Sequence, residues 1–428
     1  MATQGRSIAP LRSLTLDLPP SCIEFCPAHP EYFIVGTYNL QKEEDESAVQ
    51  VPLEDEEQQQ TKKHVQNRNG SLVIFQLTAT AEITHVQTVL YPSAILDLHF
   101  HPLWETKGSV IAVVSSTGTL SFFKFSVSDG SPTSLEEINT HRPLGDDEGI
   151  LFLSCAWHPH IPSLLAVTTS DYQVYILHVD AAWNVSQARA EPVMTHTLEA
   201  WTVAFSPSMP RKPNSAMADS STRDLEVFPI YSGGDDSKLL VTCCAYNSAQ
   251  VGGFDDLIET PYPAITIKGH GAGVTAILPL GSLLSEGSSV VLTGSYDDHI
   301  RVYSINDQVR DMPPYGPRLL AEQNLQGGVW RLRLVKLETG HQQRWAAMIL
   351  ASCMHAGSRM LQVAGNTDTG LCEIKVLGRF EEHKSMNYGS DFQPGSEVGG
   401  GKLRCVSTSF YDRLLCLWDY EHDEHLYT

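Results

Sequence analysis

The 428-residue sequence lacks any uninterrupted apolar run near the roughly 18 residues that a membrane-spanning helix requires. Its opening segment, MATQGRSIAPLRSLTLDLPP, carries two arginines but no apolar core of the kind found in secretory signals. We therefore expect a soluble protein that neither crosses nor binds a membrane.

Basic residues are also scarce. The chain has 29 Lys and Arg against 50 Asp and Glu, for a formal net charge of -21, which excludes the basic face of a typical nucleic-acid-binding protein. Part of the acidic excess lies in residues 41–63, QKEEDESAVQVPLEDEEQQQTKK. This composition favours a solvated loop, and the alternative is that its charge steers a cationic substrate.

Cysteines are few, odd in number and scattered through apolar segments such as LLVTCCAY and RLLCLWDY. This pattern is typical of buried, reduced thiols in a cytoplasmic protein. Cys22 and Cys26 have a C-x-x-x-C spacing, but no second pair of ligands follows, so zinc is not expected. The sequence also has no G-x-S-x-G, Walker A, H-E-x-x-H or Rossmann motif, and we expect neither a metal nor another cofactor.

What the sequence does have is an internal repeat. The clearest unit is KGHGAGVTAILPL followed by SSVVLTGSYDDHIRVYSIN, with a Gly-His pair, a strand, a second strand, an Asp-bearing turn and a third strand. This is the WD-repeat pattern of about 40 to 45 residues and four strands per blade. Inner strands of this kind recur in the segments CIEFCP, AILDLHFHP, ILFLSCAWHP, EAWTVAFSP, GVTAILPL, GVWRLRL and YGSDFQP.

These repeats predict an all-β, seven-bladed WD40 β-propeller that forms a single domain over residues 1–428. The last blade has three clear strands, and the N-terminal SLTLDL is expected to complete it, which removes an exposed sheet edge. Three polar segments are predicted to be surface insertions, at residues 41–70, 207–224 and 393–402.

Several histidines fit a structural role, because a WD repeat pairs a His before the inner strand with an Asp in a later turn. The alignment predicts His196 with Asp236, His270 with Asp297, and His383 with Asp412 and Trp418. Blade 6 differs, since in SCMHAGSRM the place of the turn Asp is taken by His355 and no His precedes GGVWRLRL. His355 is therefore either a functional residue or the result of drift in one blade.

Large aromatic residues also recur at one position of the inner strands. Trp201, Trp330 and Tyr388 align in blades 4, 6 and 7. Such residues near the mouth of a propeller can hold a cation, and the alternative is ordinary core packing. Three polar residues in nearby strand segments are expected to face the channel or its rim: Asp97, Glu199 and Arg331.

Read in order, SAILDL, EAWTVAF, YSGGDD, TGSYDDHI, QGGVWRLR, ASCMHAG, NYGSDF and STSFYD resemble the diphthine methyl ester hydrolase family, also called diphthine methyltransferase in an older naming. The resemblance runs from CIEFCP to LCLWDY, and GGVWR followed by the CMH and SFYD segments is its most specific part. It implies a cytoplasmic enzyme of diphthamide synthesis that removes a methyl ester from methylated diphthine on translation elongation factor 2. We expect it to act as a monomer, without nucleic acid.

The resemblance also suggests roles for the candidate residues. Diphthine carries a trimethylammonium group, which Trp201, Trp330 and Tyr388 would hold while Glu199 or Asp97 supplies negative charge. We expect His355 to act as general base on a water molecule, or Cys353 to act as nucleophile. Arg331 or the backbone N–H groups of Gly327-Gly328 would stabilise the oxyanion.

A non-catalytic platform is the competing hypothesis. Most WD propellers bind other proteins, so the fold alone favours a scaffold that presents elongation factor 2 to other enzymes. The replaced turn residue at His355 and the three aligned aromatic residues favour the hydrolase, because a plain scaffold needs neither.

Overall fold

The computed structural model describes residues 5–40, 68–128, 131–211, 225–252, 256–306, 316–340, 343–396 and 401–421. Two short N-terminal strands come first, β1 (Arg6–Ile8) and β2 (Arg12–Thr15). The first three blades follow in chain order. Blade 1 contains β3 (Pro20–Phe25), β4 (Tyr32–Thr37), β5 (Asn39–Leu40), β6 (Arg68–Leu77) and β7 (Ile83–Tyr91). Blade 2 contains β8 (Ile95–Phe100), β9 (Val110–Ser115), β10 (Leu120–Ser128) and β11 (Ser131–His141), with the single-turn helix α1 (Trp104–Lys107) after β8. Blade 3 contains β12 (Phe152–Trp157), β13 (Leu164–Thr169), β14 (Gln173–Val179), β15 (Val185–Gln187) and β16 (Met194–Thr195).

The remaining four blades repeat this arrangement. Blade 4 contains β17 (Ala200–Phe205), β18 (Leu225–Gly234), β19 (Leu239–Asn247), β20 (Ile258–Glu259) and β21 (Ile265–Ile267), with a 3-10 turn at Ser248–Gln250. Blade 5 contains β22 (Val274–Ser282), β23 (Ser289–Ser295), β24 (His299–Ile305) and β25 (Arg318–Asn324). Blade 6 contains β26 (Arg331–Thr339), β27 (Arg344–Ser352), β28 (Ser358–Asn366) and β29 (Cys372–Phe380). Blade 7 contains β30 (Gly389–Phe392), β31 (Lys402–Ser409) and β32 (Leu414–Glu421).

The seven sheets form a closed ring. Each sheet is ordered from its first strand at the centre to its last strand outside, and the first strands of consecutive blades are neighbours, with β30 of blade 7 beside β3 of blade 1. The predicted all-β, seven-bladed WD propeller is therefore confirmed.

The core is divided among the seven interfaces between neighbouring blades. The second strand of a blade is buried on both faces, which explains why it is read as a continuous apolar run rather than an alternating one. In β9, for example, Ile111 and Val113 pack towards blade 1, whereas Ala112 and Val114 pack towards blade 3. Each blade thus depends on both neighbours for burial of its apolar side chains.

The N-terminal segment closes the ring, as the sequence predicts. β2 pairs antiparallel with β32, with Ser13 opposite Cys416 and Leu14 opposite Leu415. β1 adds a parallel contact with β29 in blade 6. Residues from the two ends of the chain thereby share one sheet, and the outer edge of β32 is covered.

The predicted insertions fall mostly outside the described residues, at 41–67, 212–224 and 397–400. Their predicted limits are too wide where the structure is described. Residues 68–70 already belong to β6, Arg211 forms a β-bridge with Val227, and β31 begins at Lys402.

Candidate functional site

The histidines that precede the inner strands fasten their blades, although not always through the predicted partner. His196 bonds directly to Asp236 at 2.9 Å and to Ser232, which confirms that pair. His270 instead bonds to Thr293, because Asp297 is engaged by Arg301 at 2.8 Å. The direct His270–Asp297 bond is therefore a wrong prediction.

His383 reaches its predicted partners indirectly. It bonds to Ser409 at 2.9 Å and to Ser407 at 2.7 Å. Ser407 also accepts a hydrogen bond from the Trp418 indole, and Ser409 bonds to Asp412. The fastener of blade 7 is thus a buried network bridged by serines, and these histidines are structural rather than catalytic.

A β-bulge marks the start of the inner strands of blades 1 to 5. There the pairing with the second strand skips one residue, which leaves it out of the ladder and free to point in another direction. The skipped residues are Ser21, Leu96, Leu153, Trp201 and Thr275. In blades 6 and 7, Trp330 and Tyr388 come directly before the first paired residues of β26 and β30. Trp201, Trp330 and Tyr388 therefore occupy equivalent backbone positions at the start of their inner strands, as predicted.

A second repeated position lies in the turn after the second strand. Its N–H donates to the carbonyl two residues before the skipped one, as in Asp235 to Glu199 at 2.8 Å and Tyr296 to Gly273 at 2.9 Å. In blades 1, 2, 3 and 7 the equivalent bond is donated by the N–H groups of Tyr38, Ser116, Ser170 and Phe410. This anchor places each turn residue beside the inner strand at the mouth of the ring.

Together the two positions build a continuous aromatic wall, which we define as Tyr38, Trp201, Tyr296, Trp330, Tyr388 and Phe410. The ring centroids of Trp201 and Trp330 are 5.7 Å apart, and those of Trp330 and Tyr388 are 4.9 Å apart. Tyr296 contacts both tryptophans, and Phe410 connects Tyr388 to Tyr38. All six side chains are partly exposed.

The rings of Trp201, Trp330 and Tyr388 lie in one row, but the wall is not an open box. Neighbouring centroids lie 4.9 to 6.3 Å apart, as in rings that touch, so no group fits between them. A cation would bind against the exposed side of the wall. Tyr38, Tyr296 and Phe410 were not predicted from the sequence, and their common signal is their equivalent place in the turn.

One level deeper, charged side chains cross the central channel and form an ionic floor. Arg331 of blade 6 binds Asp97 of blade 2 at 2.7 Å, although blades 7 and 1 separate them in the ring. Arg333 binds Asp391 at 3.0 Å, and His99 binds Glu24 at 2.7 Å. The floor therefore includes residues from blades 1, 2, 6 and 7.

The opposite charges of the floor stabilise one another's ionised forms. Burial alone would raise the pKa of Asp97, but the positive charges of Arg331 and His99 hold it well below its usual range. Burial opposes protonation of His99, yet Asp97 and Glu24 raise its pKa to about 9. His99 is therefore an imidazolium at neutral pH.

Two predicted roles change in consequence. Asp97 is fully buried and accepts hydrogen bonds from Arg331 and Ser154, so its charge is neutralised below the wall. It cannot face a cation at the mouth. The Arg331 guanidinium is held in the same pair, which leaves it poorly placed to stabilise an oxyanion at the rim.

Among the described residues, Asp235 is the carboxylate that hydrogen-bonds to a ring of the wall, and the sequence pattern did not point to it. Its Oδ1 accepts a hydrogen bond from the Trp201 indole at 3.2 Å. Glu199, the predicted residue, is partly exposed and contributes its backbone carbonyl to the anchor of Asp235.

His355 lies in the tight turn between β27 and β28, and its side chain is exposed. The turn is closed by Ala356 N–H donating to the Cys353 carbonyl at 2.8 Å, and Met354 has a positive φ of 38°. The anchor bond found in the other six blades is missing between Met354 and Gly328. Instead, the Met354 carbonyl accepts from the Asn387 N–H of blade 7 at 3.0 Å.

Close packing holds this turn against the Gly327-Gly328 segment. A Cβ on Gly328 would lie 2.5 Å from the Met354 sulfur, and one on Gly327 would collide with the Cys353 carbonyl. The His355 turn thus sits between the segments that lead to Trp330 and to Tyr388, at the rim of the wall. Within the described residues, the N–H groups of Gly327 and Gly328 donate to no acceptor.

Cys353 is less accessible than its place beside His355 suggests. Its side chain is fully buried, and burial raises the pKa of its thiol to about 12. The reactive thiolate is therefore strongly disfavoured at neutral pH.

Among the described residues, no helix is long and apolar enough to cross a membrane.

No family model matches the chain. The chain is 23% identical over 421 residues to the "Diphthine methyltransferase homolog" of Dictyostelium discoideum, and the alignment covers 94% of this chain and 97% of that protein. The resemblance predicted from the motifs is therefore confirmed over nearly the whole length.

Two solved structures share the fold. Sqt1 from Chaetomium thermophilum superposes with a TM-score of 0.51 at 13% identity, over 94% of this chain and 82% of that one. Saccharomyces cerevisiae Sqt1 gives a TM-score of 0.52 at 13% identity, over 97% of this chain and 100% of that one. At this identity the likeness concerns the fold alone.

Proposed function

We propose that this chain is a carboxylic ester hydrolase that removes the methyl ester from methylated diphthine on translation elongation factor 2. The products are methanol and a free carboxylate, which a separate ligase amidates to complete diphthamide. The full-length similarity to a protein named for diphthine supports the substrate. The observation that carries the proposal is the position of the His355 turn, which packs against Gly327-Gly328 and bonds to Asn387, so that it adjoins the segments that lead to Trp330 and to Tyr388.

The substrate side chain would enter from the open face of the ring. The ion pairs of the floor cross the channel below the wall, so we expect a side chain that projects from a protein surface to stay at the mouth. Its trimethylammonium group would lie against Trp201, Trp330 and Tyr388, where cation–π attraction favours a positive charge within about 6 Å of a ring centre.

In the proposed chemistry, His355 takes a proton from water while the water oxygen bonds to the ester carbon. The Gly327 and Gly328 N–H groups stabilise the oxyanion, a role for which Arg331 is less suitable because it is paired with Asp97. The bond from carbon to the methoxy oxygen then breaks, and the proton held by His355 leaves with the methoxy group as methanol.

The Cys353 alternative would instead form a thioester and hydrolyse it in a second step. The buried, protonated thiol argues against it. Cys353→Ala is therefore expected to retain cleavage.

A protein-binding platform is the second candidate. It is favoured by the exposed aromatic face on a propeller, because such a face binds proteins without chemistry. In either case we propose a cytoplasmic monomer that recognises elongation factor 2.

The two functions are separated by a single-turnover assay. The full chain is mixed with elongation factor 2 that carries methylated diphthine, and mass spectrometry follows the loss of one methylene unit together with methanol release. We expect cleavage by the wild type, and a loss of about 100-fold or more in His355→Ala with binding retained. His85→Ala, which removes an exposed histidine on the outer strand of blade 1, is the matched control.

The outcomes are distinct. Binding without any mass change would assign the chain to the platform class. Cleavage that survives in His355→Ala but not in Cys353→Ala would reverse the assignment of the two residues.

A further inference from the structure

Asp235 places a carboxylate against the aromatic wall without a cation to neutralise it. Its Oδ1 accepts the hydrogen bond from Trp201, and no lysine, arginine or histidine among the described residues lies within ion-pair distance of it. By contrast, the next residue, Asp236, pairs with His196 at 2.9 Å and with Lys238 at 3.1 Å. Asp235 is thus left with a negative charge that its neighbours in the structure do not satisfy.

The carboxylate is also fixed in place. Its backbone N–H donates to Glu199, and a Cβ on Gly273 would lie only 2.7 Å from Asp235 Oδ1 and 3.0 Å from the Tyr296 ring. The absence of a side chain at Gly273 is what lets Asp235 and Tyr296 approach the same point. The site is therefore formed before any ligand binds, which reduces the entropic cost of binding.

The charge of Asp235 also affects the ionisation of Tyr296. Burial raises the pKa of Tyr296, and the nearby Tyr388 and Asp235 raise it further. Tyr296 therefore stays a neutral phenol, and the negative charge at this end of the wall belongs to Asp235.

We infer that Asp235, Trp201 and Tyr296 form a subsite for a quaternary ammonium group, and that this subsite selects the ligand by charge rather than by shape. The inference rests on the proposed function for its substrate, and it replaces Asp97 and Glu199 with Asp235 as the anionic element. A quaternary ammonium has no N–H, so it needs ring faces and a nearby anion rather than a hydrogen-bond acceptor. The Trp201 indole orients that anion and supplies one of the ring faces.

The test compares two probes of nearly equal shape, choline and its uncharged isostere 3,3-dimethylbutan-1-ol. Each is titrated into the full chain, and tryptophan fluorescence reports binding at the wall. We expect choline to bind about tenfold more tightly than the isostere, because the neutral probe loses both the Coulomb and the cation–π attraction.

Asp235→Asn is the decisive variant, since the amide oxygen retains an acceptor for Trp201 and only the charge is lost. Choline affinity should fall about five- to tenfold, while isostere affinity stays the same. Asp171→Asn is the matched control, because Asp171 is an exposed aspartate in the turn between β13 and β14 on the same face. Circular dichroism verifies that both variants fold.

The inference is overturned if the two probes bind equally, if Asp235→Asn binds choline like the wild type, or if Asp171→Asn loses as much affinity. Choline binding that depends on Asp235, without ester cleavage, would uphold the subsite and refute the hydrolase. Cleavage that Asp235→Asn leaves unchanged would uphold the hydrolase and refute the subsite.

Discussion

Replacing Arg331 with methionine tests whether the ionic floor holds the ring together. Asp97 is fully buried, and its pair with Arg331 joins blade 6 to blade 2 across the channel. Removing one partner of a buried ion pair costs about 3 to 5 kcal/mol, because it leaves the other charge unpaired. Asp97 keeps its ion pair with His99 at 3.4 Å and hydrogen bonds from Ser154 at 3.0 Å and from the Cys155 N–H at 3.2 Å. We therefore expect the lower end, about 3 kcal/mol.

The measurement is the free energy of unfolding in urea, followed by circular dichroism. Adding Asp97→Asn to Arg331→Met should recover part of the loss, because the buried charge is removed together with its partner. Arg318→Met is the control. Its pair with Glu286 is half-exposed on both sides and is worth less than about 1 kcal/mol. A loss in Arg331→Met no larger than in the control, or a double variant as unstable as the two losses added together, would refute this role of the ionic floor.

Three further predictions concern pH, the His355 turn and ring closure. Because the folded pKa of His99 is raised from 6.5 to about 9, its stabilisation is complete below pH 6.5 and is lost as the pH rises through about 9. The unfolding free energy should therefore fall by at most about 3 kcal/mol over that range in the wild type, and His99→Gln should remove this decline. Gly328→Ala should displace Met354 and reduce single-turnover cleavage more than it reduces stability, whereas equal effects would indicate a purely structural glycine. Deleting residues 1–15 should uncover β32 and cause aggregation visible by light scattering, and an unchanged monomer would contradict the closure argument.

The repeat predicted the fold because each blade carries the same local pattern: an inner strand, an apolar second strand and a turn after it. The register of Trp201, Trp330 and Tyr388 was predictable for the same reason. The contribution of Tyr296 follows from the anchor bond between Tyr296 and Gly273, whose effect on side-chain placement the sequence pattern does not reveal.

The ion pair between Arg331 and Asp97 could not be predicted from a sequence pattern. Arg331 and Asp97 are separated by 234 positions, and their contact exists only once the ring has closed. The error at His270 has a different origin. The family pattern supplies an Asp in the turn, at Asp297. Arg301, four residues later, forms an ion pair with Asp297 instead, because its guanidinium is always charged.

Blade 6 departs from the repeat in its sequence and in its backbone, and the two departures have one consequence. It has no histidine before its inner strand, and the Met354 turn is not anchored to that strand. The turn is held instead by Asn387, whose side chain bonds to the carbonyls of Gly389 and Thr408 at 3.1 and 2.7 Å. Since Asn387 directly precedes Tyr388, the segment that positions His355 is the one that positions the wall. The proposed base and the proposed cation surface are therefore linked by one contact between blades. A fixed relative geometry of this kind is what catalysis requires and simple protein binding does not.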